Sequence, residues 1–464
     1  MSISFLFYIV ERCYDYQPFL LYYLFSFVVL IFCFWFVSWT LFYIRRQRRY
    51  DRYDKIALKT SNTISPVPAL TTHPCKNLQK FICGKQSWWW QARIYQIIID
   101  RFNGWKRISR YETFEEMNTY VGGTLEGVIK KLDYIKNLGY NTILLSPVFS
   151  SAAYHGYHTI SYENIDEHFG DWDDFKEMVD IAHQKGMRVI CDYVPNHCHI
   201  DHPFFQKALK DKDCKERNWF LFNAKDSTDY TPFLHYKELP KFNLYNQDVA
   251  DYMIQVAERL VGYKIDGLRI DHVIGLPFCF LQQLRERIKS INSDVFIFGE
   301  ATASGIRKSE LPQIEFKCQY LREQANRDEL TIDALQQQYV DVIDGVLDFG
   351  FRDIIIPEIE AGNRIIGNIN LIRKMRDHLN QYPSNFALVL FLDNHDLDRF
   401  MYYCKNDKSL LDEALTFMNN YAYPSSVYYG TEQYMTNDPS IINAEPYADL
   451  RVRRPMNWKY KTTK

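Results

Sequence analysis

The chain has 464 residues, 47% hydrophobic and 24% charged, enough apolar mass for a large folded core, which excludes a disordered or collagen-like chain. Its formal net charge of -2 leaves no electrostatic case for a nucleic-acid partner. Ten cysteines include no Cys-x-x-Cys pair, which excludes a zinc ribbon and a thioredoxin-like motif.

Residues 1–18 read as an N-terminal tail. From Phe19 to Ile44 no charged residue occurs, and this apolar run is long enough to cross a hydrocarbon core of about 30 Å. One transmembrane helix is expected over 19–44. A cleaved signal peptide fits worse, because Glu11 and Asp15 stand where a positive n-region belongs. Arg45, Arg46, Arg48, Arg49 and Arg52 follow the run while only Arg12 precedes it, so charge bias places the C-terminal domain in the cytosol. The lack of any Asn-x-Ser/Thr acceptor agrees with that placement. The stretch 45–86 starts basic, turns polar and carries Pro66, Pro68 and Pro74, the pattern of a linker.

From residue 87 the pattern changes. Short apolar runs predict strands at Arg93 to Ile99, Thr142 to Leu145, Arg188 to Tyr193, Gly267 to Ile270, Val295 to Phe298, Val342 to Leu347, Ala387 to Leu392 and Ser426 to Tyr429. Helical spacing falls between them, at Leu125 to Leu138, Asp173 to Lys185, Gln247 to Leu260, Leu276 to Ile291 and Leu410 to Tyr421. Strands alternating with helices describe a (β/α)8 TIM barrel over 87–464, with its chemistry at the C-terminal ends of the strands. No Gly-rich phosphate loop follows the first strand, which weighs against a doubly wound open sheet. The connection 196–246 is far longer than a usual barrel loop and predicts a small excursion beside the mouth.

Four polar clusters close four of the predicted strands. Arg269 and Asp271 are two apart and leave the same strand face, where the guanidinium favours an ionised carboxylate, as a nucleophile needs. Glu300 ends the next strand, where burial would favour the protonated form of a general acid. Asp393, Asn394, His395 and Asp396 end a later strand, and Asp192, Asn196 and His197 follow an earlier one. Paired carboxyl groups at strand ends are what glycoside hydrolysis requires: one attacks the anomeric carbon or activates water, and the other protonates the departing oxygen.

In chain order these stretches resemble the signature regions of the α-amylase superfamily, glycoside hydrolase family 13: Asp192 to His197, Gly267 to Asp271, Gly299-Glu300 and Phe391 to Asp396. Ile94-Tyr95-Gln96 leading into Asp100-Arg101-Phe102 resembles the family's opening strand, and Tyr154-His155-Gly156-Tyr157 its sugar-stacking loop. The resemblance implies a retaining glycosidase or transglycosylase acting on α-glucans, with Asp271 as nucleophile, Glu300 as acid/base and Asp396 as a third, transition-state-stabilising carboxylate. It implies substrate contacts at His155, Tyr157, Asp192, His197, Arg269 and His395. Leu239 to Asn243 resembles the pattern of the oligo-1,6-glucosidase and neopullulanase-like branches, implying short or branched α-glucans. Asn196 matches a position that binds calcium in many amylases, but the excursion offers few oxygen ligands, so neither metal nor cofactor is expected. Arg451 to Trp458 resembles a segment found after the eighth strand, and the usual closing helix and β-sandwich do not follow it. The expected consequence is an exposed flank at strands one and eight, unless a partner or the linker covers it. A membrane helix joined to an amylase-like domain also resembles the heavy chains of amino-acid transporters, in which the domain is catalytically silent; on that reading Cys75 would pair with a transporter, whereas an ordinary linker cysteine is the favoured reading.

Overall fold

A computed structural model describes residues 87–104, 118–223, 228–443 and 447–458. The expected membrane helix over 19–44, the linker over 45–86 and Cys75 lie outside the described residues. Among the described residues no helix is long and apolar enough to cross a membrane.

The described residues contain twelve strands: β1 (Arg93–Ile97), β2 (Thr142–Leu145), β3 (Phe149–Ser151), β4 (Thr159–Ile165), β5 (Arg188–Tyr193), β6 (Pro232–Phe233), β7 (Tyr236–Pro240), β8 (Gly267–Ile270), β9 (Phe296–Gly299), β10 (Gly345–Asp348), β11 (Ala387–Phe391) and β12 (Ser425–Tyr428). Eight of them, in the order β1-β12-β11-β10-β9-β8-β5-β2, close a parallel barrel, as the sequence predicts. Such strands are buried on both faces, which is why they read as continuous apolar runs. Ile94, Leu144, Ile190, Phe298, Leu347, Val389 and Phe391 fill the interior. The 3-10 turn Trp88–Gln91 packs against this core, with Trp89 stacked on Phe296 at 5.2 Å between centroids.

The outer helices form where apolar residues recur at helical spacing and a cap opens the turn. Trp172–Gln184 begins at a capping box between Asp171 and Asp174, and Gln247–Gly262 begins at Asn246, whose side chain accepts from Asp248 N. Several expected boundaries shift, most by one or two residues; the strand expected over Arg93 to Ile99 ends at Ile97, and Ile99 opens a short helix. The run from Leu125 splits into helices Leu125–Ile129 and Leu132–Asn137. The strand expected from Val342 begins at Gly345, because Asp341 adopts φ 67° and residues 339–343 are spent on turns.

Between β5 and helix Gln247–Gly262 lie helix Pro203–Lys210, a 3-10 turn Lys215–Trp219 and the antiparallel hairpin β6–β7. The bridge His197–Lys241 and the backbone bonds from Cys198 N–H to the Pro240 carbonyl and from Phe242 N–H to the Asn196 carbonyl tie this excursion to the segment leaving β5, so it stands at the barrel mouth. After β12 the described chain continues as short 3-10 turns. Contrary to expectation, the outer side of β1 is covered. Tyr95 is fully buried and donates to Glu432 at 2.8 Å, and Tyr134 donates to the same carboxylate. Trp458 donates to the Phe102 carbonyl at 2.6 Å and packs on Tyr134.

Candidate active site

Three of the four polar clusters converge on one guanidinium. Arg269, inward-facing on β8 and fully buried, donates from one terminal nitrogen to both oxygens of Asp192 on β5, at 2.8 and 2.9 Å, and to Asp271 Oδ1 at 2.8 Å. Its other terminal nitrogen lies 2.9 Å from Glu300 Oε1, an ion-pair contact without hydrogen-bond alignment. Strand register explains the convergence: Asp192 pairs with Arg269 across β5–β8, and Arg269 with Phe298 across β8–β9, which puts Glu300 just beyond. His272 takes a left-handed φ of 44°, and this turn aims its N–H at Glu300 Oε2, 3.1 Å away.

Three carboxylates around one cation change the expected electrostatics. Burial pushes the Asp271 carboxyl well up from its ordinary value, Arg269 pulls it down, and Glu300, Asp192 and Asp396 add to the rise. A guanidinium alone would keep Asp271 ionised, as the sequence suggested. Within this crowd the balance for Asp271 is upward instead, because burial and the neighbouring carboxylates outweigh what one cation offsets.

Asp396 sits beyond β11 and its side chain is 44% exposed. His395 Nε2 lies 3.0 Å from Asp396 Oδ2, and the Arg453 guanidinium lies 2.6 Å from Oδ1. Burial opposes ionisation there, but His395, Arg453 and Arg269 outweigh it and hold the carboxyl well below its usual range. Gln96 on β1 fixes the far side of the His395 ring through Nδ1 at 3.1 Å. The other face of that ring is covered by Tyr157, stacked at 4.9 Å and 7°.

Tyr157 is held from every side. Its hydroxyl donates to Asp192 Oδ2 at 2.7 Å, its N–H to His155 Nδ1 at 3.2 Å, and its carbonyl accepts from His197 Nε2 at 3.2 Å. Gly156, at φ 87°, makes this turn feasible, since a Cβ there would stand 2.3 Å from the Pro147 carbonyl. Burial lowers the His155 imidazole well below its ordinary pKa and brings His197 down to about 3, so both are neutral and serve to position Tyr157. The nine candidate site residues read from the sequence therefore form one constellation, seven of them at the C-terminal ends of β5, β8, β9 and β11 and two, His155 and Tyr157, on the turn between β3 and β4. Gln96, His272 and Arg453 belong to it without having been singled out. Gln96 and Arg453 did lie in stretches whose resemblance was noted.

Asn196 Oδ1 is buried with no hydrogen-bond partner and faces Gly275, where a Cβ would approach it to 2.7 Å; the His272 ring lines the same spot. Calcium takes six to eight oxygens, with carboxylates among them. Among the described residues no group of three His, Cys, Asp or Glu side chains could hold a metal.

Comparison with known proteins agrees with the geometry. The family model described as the alpha amylase catalytic domain matches residues 96–463. Alpha-amylase 2 of Dictyoglomus thermophilum is 34% identical over 376 residues, covering 80% of this chain and 60% of that protein. Neopullulanase 2 of Thermoactinomyces vulgaris is 28% identical over 399 residues, covering 81% of this chain and 60% of that one. The crystal structure of an Anoxybacillus alpha-amylase superposes with a TM-score of 0.62 at 27% identity, covering 80% of this chain and 76% of that one. The chain thus spans about 60% of the length of these curated relatives. With the matched domain, the closed barrel and the strand-end carboxylates together, the chain belongs to the α-amylase family.

Proposed function

We propose that this chain is a retaining glycosidase or transglycosylase acting on α-glucosidic bonds of oligo- or polysaccharides, with Asp271 as nucleophile, Glu300 as general acid/base and Asp396 as the third carboxylate. The observation that carries the reading is the Arg269 fork, which holds Asp271 and Glu300 side by side from neighbouring strand ends. The hydrogen bond from Arg269 is aligned on Asp271 and misaligned on Glu300, so the guanidinium orients the Asp271 carboxylate more firmly than that of Glu300. Attack of Asp271 on the anomeric carbon accompanies proton transfer from Glu300 to the departing oxygen. Glu300 then takes a proton from water or from a sugar hydroxyl, which decides between hydrolysis and transfer. Asp396, kept anionic by His395 and Arg453, faces the positive charge that develops on the ring. Tyr157 and the stacked His395 supply a flat apolar wall for the donor sugar.

The Leu239 to Asn243 pattern and the neopullulanase relative favour short or branched α-glucans. An intact carboxylate constellation weighs against the silent heavy-chain alternative. The test is turnover of maltotriose, panose and pullulan by the full chain beside Asp271→Asn and Glu300→Gln. Retained anomeric configuration and losses of at least about 1000-fold in both variants are expected. Inversion of configuration, or variants as active as the parent, would refute the assignment.

A further inference from the structure

Among the described residues the Glu300 carboxyl receives one hydrogen bond, and it comes from the backbone: the His272 N–H lies 3.1 Å from Oε2. The Arg269 contact on Oε1 lacks alignment, so it attracts the carboxyl without fixing its plane. The N–H reaches Oε2 because His272 sits in the left-handed region, at φ 44° and ψ 49°. The same turn is joined to Glu300 through the main chain. Val273 donates its N–H to the Glu300 carbonyl at 3.1 Å, and Glu300 donates its own to the Ile270 carbonyl at 2.9 Å. Gly299 lies against Val273 with no room for a Cβ, which would stand 2.7 Å from that side chain.

A residue other than glycine keeps a left-handed backbone only where its surroundings over-determine it. Here the surroundings act on the imidazole. The ring is buried, meets Phe233 edge-on at 4.7 Å, and lies over Gly275, where a Cβ would stand 2.7 Å from His272 Cδ2 and equally near the buried Asn196 Oδ1. Gly275 also donates its N–H to the His272 carbonyl at 3.0 Å, which closes the turn. Burial, reinforced by Lys241, His197 and Arg269, keeps the imidazole well below its ordinary pKa, so the ring fills this cradle uncharged.

Resting on the glycosidase reading above, we infer that His272 is a positioning residue for Glu300: its left-handed backbone, held by the imidazole in the cradle of Gly275, Asn196 and Phe233, aims the N–H that orients the acid/base carboxyl. The role belongs to the conformation of the residue and not to the chemistry of its ring. Asparagine, which tolerates the left-handed region, can therefore fill it, whereas a β-branched residue cannot.

The experiment compares kcat/KM of the full chain for maltotriose, whose leaving sugar needs a proton, with that for α-maltosyl fluoride, whose fluoride departs with little help from an acid. His272→Val is expected to lower the maltotriose-to-fluoride ratio about tenfold, through kcat on maltotriose with KM little changed, and His272→Asn to recover most of it. Gly275→Ala crowds the ring without altering the turn residue itself; it should lower the ratio in the same direction, and it decides the matter if the valine variant does not fold. A ratio within about twofold of the parent in His272→Val, with both substrates turned over, overturns the inference and leaves the glycosidase reading standing. An equal fall on both substrates also overturns it, because the turn would then support the site as a whole. So does an asparagine variant as impaired as the valine one, which would assign the effect to the ring. Turnover of neither substrate by the unaltered chain sinks the glycosidase reading, and this inference with it.

Discussion

Replacing Arg269 by methionine is the sharpest perturbation of the site, and its cost follows from the charges it leaves behind. The guanidinium is fully buried and touches Asp192, Asp271 and Glu300 within 2.9 Å. Without it the cluster cannot keep its negative charge in a buried site and must bind at least one more proton. Holding a carboxyl protonated at pH 7 against an ordinary value near 3.9 costs about 4 kcal/mol, and at pH 4.5 about 1 kcal/mol. The sign follows: a carboxyl whose folded pKa is raised loses stability as pH rises above its unfolded value, so the penalty grows toward neutrality. Arg269→Met should therefore be less stable than the parent by about 4 kcal/mol at pH 7 and by about 1 kcal/mol at pH 4.5. Urea unfolding followed by circular dichroism at the two pH values reads the difference without any substrate. An equal penalty at both would mean that Arg269 acts by packing alone, and would remove the electrostatic argument for the carboxylate pair.

Arg453→Gln removes a charge-assisted bond to Asp396, a bond to the His395 carbonyl at 2.9 Å and a pair with Asp449. A fall in kcat of about 10- to 100-fold is expected, with the acid limb of the pH profile moving up because Asp396 loses one of the charges that depress it. An unshifted limb would assign Arg453 to chain-end packing. His378 is buried between Asp333 at 2.9 Å and Asp348 at 3.0 Å; burial opposes its charge, but the two carboxylates prevail and hold the imidazole up to about 10. Its stabilising contribution is complete below the unfolded value near 6.5 and fades as pH rises through about 10, so His378→Gln should flatten the loss of stability between those values. Parallel unfolding curves for parent and variant across that window would contradict this.

The barrel was legible because parallel strands buried on both faces leave uninterrupted apolar runs; Thr142–Leu145, Arg188–Tyr193 and Gly267–Ile270 match their predicted bounds end to end. The carboxylates were legible for a related reason. A polar residue at the end of such a run has few roles, and Arg269 with Asp271 shows the two-residue spacing of one strand face. What escaped lies where no period operates. Arg453 comes from a stretch of short turns and reaches Asp396 across 57 residues, so neither spacing nor propensity ties the two together. The β6–β7 hairpin is built on a two-residue strand that begins with proline, too short to register as alternation.

The same asymmetry governs what the fold can hold. A barrel core of Ile, Leu, Val and Phe has no groups to solvate Asp192, Asp271 and Glu300, so their placement at adjoining strand ends is tenable only with a cation built into the wall. Arg269 meets that need from within β8, and in doing so fixes which two carboxylates stand side by side. Asp396, more open to solvent, depends instead on His395 and on Arg453 from the chain's last described stretch. The nucleophile and acid/base candidates are thus set by strand register, whereas the third carboxylate is set by a loop contact. It follows that lesions in 447–458 should disturb Asp396 while leaving the Arg269 cluster intact.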